Sequence, residues 1–111
     1  MLEEAKLALR VTATKYDPDI MDLLAAGAKD LEIAGVRLHG RVNYTKDQDG
    51  VHDHSTIKDP LEKRAILTYA AMRFGNPPNY DKLKEAYEEQ KVQLMHATGY
   101  TDYKDGGDLE C

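Results

Sequence analysis

Residues 59–99 read DPLEKRAILTYAAMRFGNPPNYDKLKEAYEEQKVQLMHATG, a stretch that writes out two helices with their own start and stop signals. Asp59 is placed to accept free backbone N–H groups at a helix start. Pro60 stands where a missing donor costs nothing, and Glu62 is spaced to close a capping box. Gly75-Asn76-Pro77-Pro78 ends the helix, because glycine tolerates the left-handed turn and proline cannot propagate a helix. The stretch therefore predicts a helical hairpin, one helix from Pro60 to Phe74 and another from about Asp81 to Thr98, closed by Gly99. The first is nearly apolar all round in its second half, with Ala65, Ile66, Leu67, Tyr69, Ala70, Ala71, Met72 and Phe74, and should be the central, most buried element. The second is amphipathic. Leu83, Ala86, Tyr87, Gln90, Leu94 and Ala97 form its stripe, and Lys82, Lys84, Glu85, Glu88, Glu89 and Lys91 face water.

Working outward toward the N-terminus, Asp17-Pro18 repeats the start seen at Asp59. Ile20, Leu23, Leu24, Gly27, Ala28 and Leu31 follow at steps of three and four, giving a one-sided helix that runs to Ala34 and is closed by Gly35. Asp22, Lys29, Asp30 and Glu32 make its opposite face. Leu2, Ala5 and Leu9 predict a short first helix over residues 2–10, with Glu3 and Glu4 in the turn where the helix dipole favours acids. Between the second and third helices the period changes. Val36, Leu38, Val42 and Tyr44 alternate with Arg37, His39, Arg41 and Asn43, which reads as a strand. Lys46 to Gly50 supplies turn chemistry, and Val51 to Ile57 is the weaker returning strand. Unstructured connections beyond about 15 residues are unusual in compact domains, so 36–57 is expected to be a hairpin or loop arm.

The fold class expected is all-α: a bundle of about four helices, a long excursion between the second and third, and a flexible C-terminal tail. The 111 residues suffice for one hydrophobic core, so residues 1–100 are read as a single domain and 101–111, without periodicity and rich in turn formers, as the tail. No apolar run is long enough to span a bilayer, and the acidic, amphipathic start does not resemble a secretory signal, so the chain is expected to stay in the cytoplasm where it is made. Fifteen basic residues against twenty acidic ones give a net charge of −5, which repels a phosphate backbone at long range. The single cysteine, Cys111, allows no intrachain disulfide and no thiol-rich metal site.

The candidate chemistry is thin. His52, Asp53 and His54, with Asp47 and Asp49 just before them, are ligand types for divalent cations. On a strand, however, His52 and His54 share a face that Asp53 leaves, and Thr45 and Thr56 stand where a calcium loop needs its first and last acids. Ser55 is the only serine and lacks a glycine elbow, GNPPN cannot cradle phosphate, and Glu88 and Glu89 lie on a wet face. No catalytic, cofactor or metal residue is assigned. Of seven tyrosines, Tyr69 and Tyr87 fall on core stripes, whereas Tyr44, Tyr100 and Tyr103 lie in the excursion and tail, where tyrosine favours interfaces.

Four segments in order, LEEAKLALRV, DPDIMDLLAAGAKDLEIAGV, DPLEKRAILTYAAMRFGNP and LKEAYEEQKVQLMHATGY, carry a resemblance to the head–tail connector (adaptor) proteins of long-tailed phages and prophages, sometimes labelled DNA-packaging proteins. The resemblance implies a structural, non-enzymatic helical bundle that forms a ring beneath the portal, extends the DNA channel and links capsid to tail. Implied partners are the portal protein, copies of the chain itself, a downstream stopper or tail-completion protein, and genomic DNA passing without sequence-specific contact. The implied location is the virion, with assembly in the host bacterial cytoplasm and no membrane partner. Arg37, Arg41, Tyr44, Tyr100 and Tyr103 are the expected interface residues, on the 36–57 arm and the tail. The alternative is a DNA-packaging or regulatory helix-turn-helix protein, in which Arg64, Arg73, Lys82 and Lys84 would contact phosphates around the GNPP turn.

Overall fold

The computed structural model describes residues 1–97. The expected end of the last helix at Thr98 and Gly99, the tail, Tyr100, Tyr103 and Cys111 lie outside the described residues. Within them the order is α1 (Leu2–Leu9), a short 3₁₀ turn (Thr14–Tyr16), α2 (Asp17–Ile33), β1 (Tyr44–Asp47), β2 (Gly50–Asp53), α3 (Pro60–Arg73) and α4 (Tyr80–His96). The chain is thus mostly helical, with a small antiparallel hairpin between α2 and α3.

The α3 start forms as its residue types require. Asp59 is extended, and its Oδ1 accepts the N–H groups of Leu61 at 2.9 Å and Glu62 at 3.2 Å, the kind of cap worth about 1 kcal/mol. The matching expectation at Asp17 fails. The 3₁₀ turn runs straight into α2, so Asp17 is already helical (φ −56°, ψ −45°) and no side chain caps that end. Its carboxylate instead forms an ion pair with Lys6 of α1 at 2.9 Å, both groups largely buried. An eight-residue helix is too short to persist alone. The burial of Leu2 and Ala5 and the Lys6–Asp17 pair hold α1 against the bundle.

The buried side chains form one cluster: Leu2 and Ala5 from α1; Ile20, Met21, Leu24 and Leu31 from α2; Ala65, Ile66 and Ala70 from α3; Tyr87 and Leu94 from α4. α3 packs against each of the other three helices, as its composition predicted. Its outer side is less buried than expected, since Leu67, Tyr69, Ala71 and Phe74 are each partly exposed. At Gly27 the α2 backbone comes so close that an added Cβ would stand 3.0 Å from Tyr69 Cδ1, and Tyr69 in turn meets Tyr87 edge-on with ring centroids 5.4 Å apart. Asp30, read as part of the wet face of α2, is drawn into this contact: it accepts the Tyr87 hydroxyl at 2.5 Å, with Lys91 3.4 Å away.

The excursion is a hairpin, but not where the alternation placed its first strand. Val36 to Asn43 is not regular strand; pairing begins at Tyr44, opposite Asp53, and ends with Asp47 opposite Gly50. The alternating residues serve the bundle instead of a sheet, with Val36 and Ile57 buried at the two roots of the excursion and Leu38 and Val42 packed against the core. Below Tyr44 the two sides still bond irregularly. His54 and Thr56 donate their N–H groups to the carbonyls of Asn43 and Arg41 at 2.8 Å, while the return bonds go to the hydroxyls of Ser55 and Thr56. At Gly40 the two sides come so close that a Cβ would lie 2.5 Å from the Thr56 carbonyl oxygen.

Candidate functional site

The excursion was expected to be an arm too polar to bury alone. Three contacts tie it down. The first is Asp53 on β2, whose Oδ2 receives the Met1 ammonium at 2.7 Å and the Leu2 N–H at 2.8 Å, while Oδ1 receives the Ser55 N–H at 2.9 Å. Asp53 thereby satisfies a free donor at the start of α1. Burial alone would raise its pKa, but the bonds from the N-terminal ammonium, from Ser55 and from Leu2 outweigh it and hold the carboxyl well below the usual carboxylate range.

The second tie is Tyr44, whose hydroxyl donates to Asp22 on α2, with the Lys46 ammonium 5.8 Å from its ring. Tyr44 is therefore half-buried against the bundle, not standing free. The third joins His39 to Glu62 of α3. Glu62 is fully buried, and its two oxygens receive the His39 N–H at 3.0 Å and Nδ1 at 2.5 Å. Sequence reasoning did not single out this pair. The available signal was Glu62 itself, an acid in line with Ile66 and Ala70 on the buried stripe of α3, where an unpaired carboxylate costs several kcal/mol, roughly.

Arg41 is exposed, its main chain bonded to Thr56, and Arg37 is exposed beside buried Val36. Arg37, Arg41 and Tyr44 thus all lie on the excursion, while Tyr100 and Tyr103 lie outside the described residues. At the tip His52 Nε2 meets Asp47 Oδ2 at 3.0 Å and His54 Nε2 meets Thr45 Oγ1 at 3.1 Å. The Asp49 N–H, then His52, lower the Asp47 pKa. Among the described residues, the ligand-type atoms that converge belong to His39, Asp59 and Glu62, all within 4.8 Å of one another. The 2.5 Å contact inside this set is a hydrogen-bond distance, shorter than the roughly 3 Å between two donors on one zinc ion. The arrangement is a polar lock between the excursion and α3.

Arg73 lies over the Tyr69 ring at 5.1 Å, and Arg64, Lys82 and Lys84 are exposed. No helix of the described residues is long and apolar enough to cross a membrane.

The sequence of this chain matches the model of a family described as phage connector protein over residues 1–101. The chain belongs to that family of phage head–tail connectors, structural components of the virion that associate with other head and tail proteins. No curated protein and no solved structure matched it.

Proposed function

We propose that this protein is a ring-forming piece of the head–tail connector, seated beneath the portal, where it extends the DNA channel and links the capsid to the tail. The observation that carries the reading is the family match along residues 1–101, the whole of the described bundle included. The polar lock and the Asp53 clasp support a mechanical role, since they fix a polar hairpin at a set angle on a packed core. In this reading residues 1–100 act as one connector domain. The exposed surface of the excursion around Arg37 and Arg41, with half-buried Tyr44 beside it, and the segment carrying Tyr100 and Tyr103 contact the portal, a neighbouring copy or the downstream stopper. The net charge of −5 supports a channel wall that repels phosphate, so that DNA passes without adhering.

The test is co-purification with the portal protein followed by native mass spectrometry. A ring of this chain on the portal is expected. No association between the two at tens of micromolar, roughly the upper range of weak specific binding, refutes the reading. Removing all of 36–57 is a poor variant because Val36 and Ile57 are core residues. Substituting the tip, Lys46 to Val51, leaves the roots intact.

A further inference from the structure

A groove of about 480 Å³ runs along α3, walled by Leu67 and Ala71 of α3 and Leu83 of α4, with Ala8 of α1 and Pro60 also on its border. Leu67, Ala71 and Leu83 are each partly exposed in it. Two cations stand on the rim. Lys63 is already paired with Glu4 at 2.9 Å. Arg64 is exposed, and among the described residues its guanidinium has no carboxylate partner.

The direction of α4 brings the end of the described chain to one end of this groove. Only six residues separate Arg73 from Tyr80, so α3 and α4 pack antiparallel, and Leu83 near the start of α4 shares the groove with Ala71 near the end of α3. From Leu83 to His96 α4 advances about 20 Å, while α3 covers about 16 Å from Ala71 back to Pro60. The chain therefore leaves α4 just past the Pro60 end. Residues 98–111 follow, and a stretch of that length can reach at most about 50 Å, enough to run back along the whole groove. Their chemistry complements it. Asp102, Asp105, Asp108 and Glu110 stand against the single Lys104, and Tyr100 and Tyr103 each offer an apolar ring with a polar tip.

We propose that the occupant of this groove in the unassembled protein is the chain's own segment 98–111, with Tyr100 and Tyr103 against Leu67, Ala71 and Leu83 and an acid of the segment beside Arg64. Tethering favours this occupant over the same segment of a second copy, because a short linker gives an effective concentration on the order of millimolar. The contact is within one chain and does not require a ring. Its consequence for the function proposed above is that a partner engaging Tyr100 and Tyr103 must first lift them from the groove.

The test uses the full chain, isotope-labelled, with a nitroxide attached at Gly106→Cys in a Cys111→Ser background, and reads paramagnetic broadening of the backbone amide signals. Broadening is expected at Ala8, Arg64, Leu67, Ala71 and Leu83, with Glu32 and the hairpin tip at Lys46 spared. Arg64→Glu, a change at an exposed position, should lower the docked population about fivefold, and Tyr100→Ser combined with Tyr103→Ser should abolish the pattern. Broadening that is spread evenly, centred away from the groove or indifferent to these substitutions overturns the proposal. Mixing spin-labelled chain without isotope into isotope-labelled chain without nitroxide separates the two occupants. No broadening is expected in the mixture, and broadening at the groove there gives the site to a second copy's segment and overturns docking within the chain. Either failure leaves the portal reading standing, since that reading is judged by association with the portal.

Discussion

Glu62 and His39 are 23 positions apart in the chain and 2.5 Å apart in space, and the carboxylate of the pair has no exposure to solvent. This contact decides the pose of the excursion, because it anchors the segment's N-terminal half to the first turn of the central helix. Glu62→Gln keeps the shape and removes the charge. It is expected to cost about 1–3 kcal/mol of unfolding free energy and to speed amide exchange over residues 36–57, measured by hydrogen exchange with mass spectrometry. Unchanged exchange in the excursion would show that the lock does not hold it.

Asp53 makes stability depend on pH in a definite direction. A carboxyl whose folded pKa lies below its unfolded value, about 3.9, stabilises fully above that value, and the contribution is lost as pH falls toward the folded one. Urea unfolding of wild type and Asp53→Asn should therefore differ by a constant amount between about pH 5 and 7 and converge below pH 4. A gap that widens on acidification would contradict the clasp.

Tyr87 should resist ionisation in the folded protein. Burial, then the hydrogen bond and charge of Asp30, push its phenol above the ordinary value near 10. The contribution to stability is complete below about pH 10 and declines above it. In an ultraviolet titration of the folded protein, Tyr87→Phe should remove absorbance change that appears above pH 10. At neutral pH the same substitution is expected to cost about 1 kcal/mol.

Gly27 admits α2 to the Tyr69 ring. Gly27→Val adds bulk where even a Cβ would lie 3.0 Å from Tyr69 Cδ1, so a loss of about 1–3 kcal/mol is expected in thermal or chemical unfolding. Equal stability of the variant would mean that the two helices separate readily.

Arg10 ends α1 in the left-handed region, φ 58° and ψ 43°, with its N–H on Leu7 and that of Val11 on Lys6. Replacing it by glycine should raise stability by up to about 1 kcal/mol, whereas Arg10→Val should lower it by about 1–2 kcal/mol. The order glycine, arginine, valine in melting temperature is the check.

The helices were legible because their signals are local. Asp59, Pro60, Gly35 and Gly75 mark boundaries through the backbone chemistry of a few neighbouring residues, and the ends they mark, those of α2 and α3, fall within one residue of the expected ones. The Asp17 start was misread because a 3₁₀ turn precedes it, and nothing in Asp17-Pro18 itself reports that. The first strand was misplaced for a longer-range reason. Alternation at Val36, Leu38 and Val42 states only that one side of the chain is buried, and here the burying surface is the helical bundle. The excursion's contacts with Asp22, Glu62 and Met1 are tertiary, so sequence spacing identified Tyr44 as notable without showing that its hydroxyl is already engaged.

The central claim is that the fold is a structural ring unit of the phage connector. It is tested most directly by electron cryomicroscopy of this chain assembled with the portal protein of the same phage. The account predicts a closed ring beneath the portal, continuous with the DNA channel. A portal channel bare of this chain at saturating concentration would contradict it.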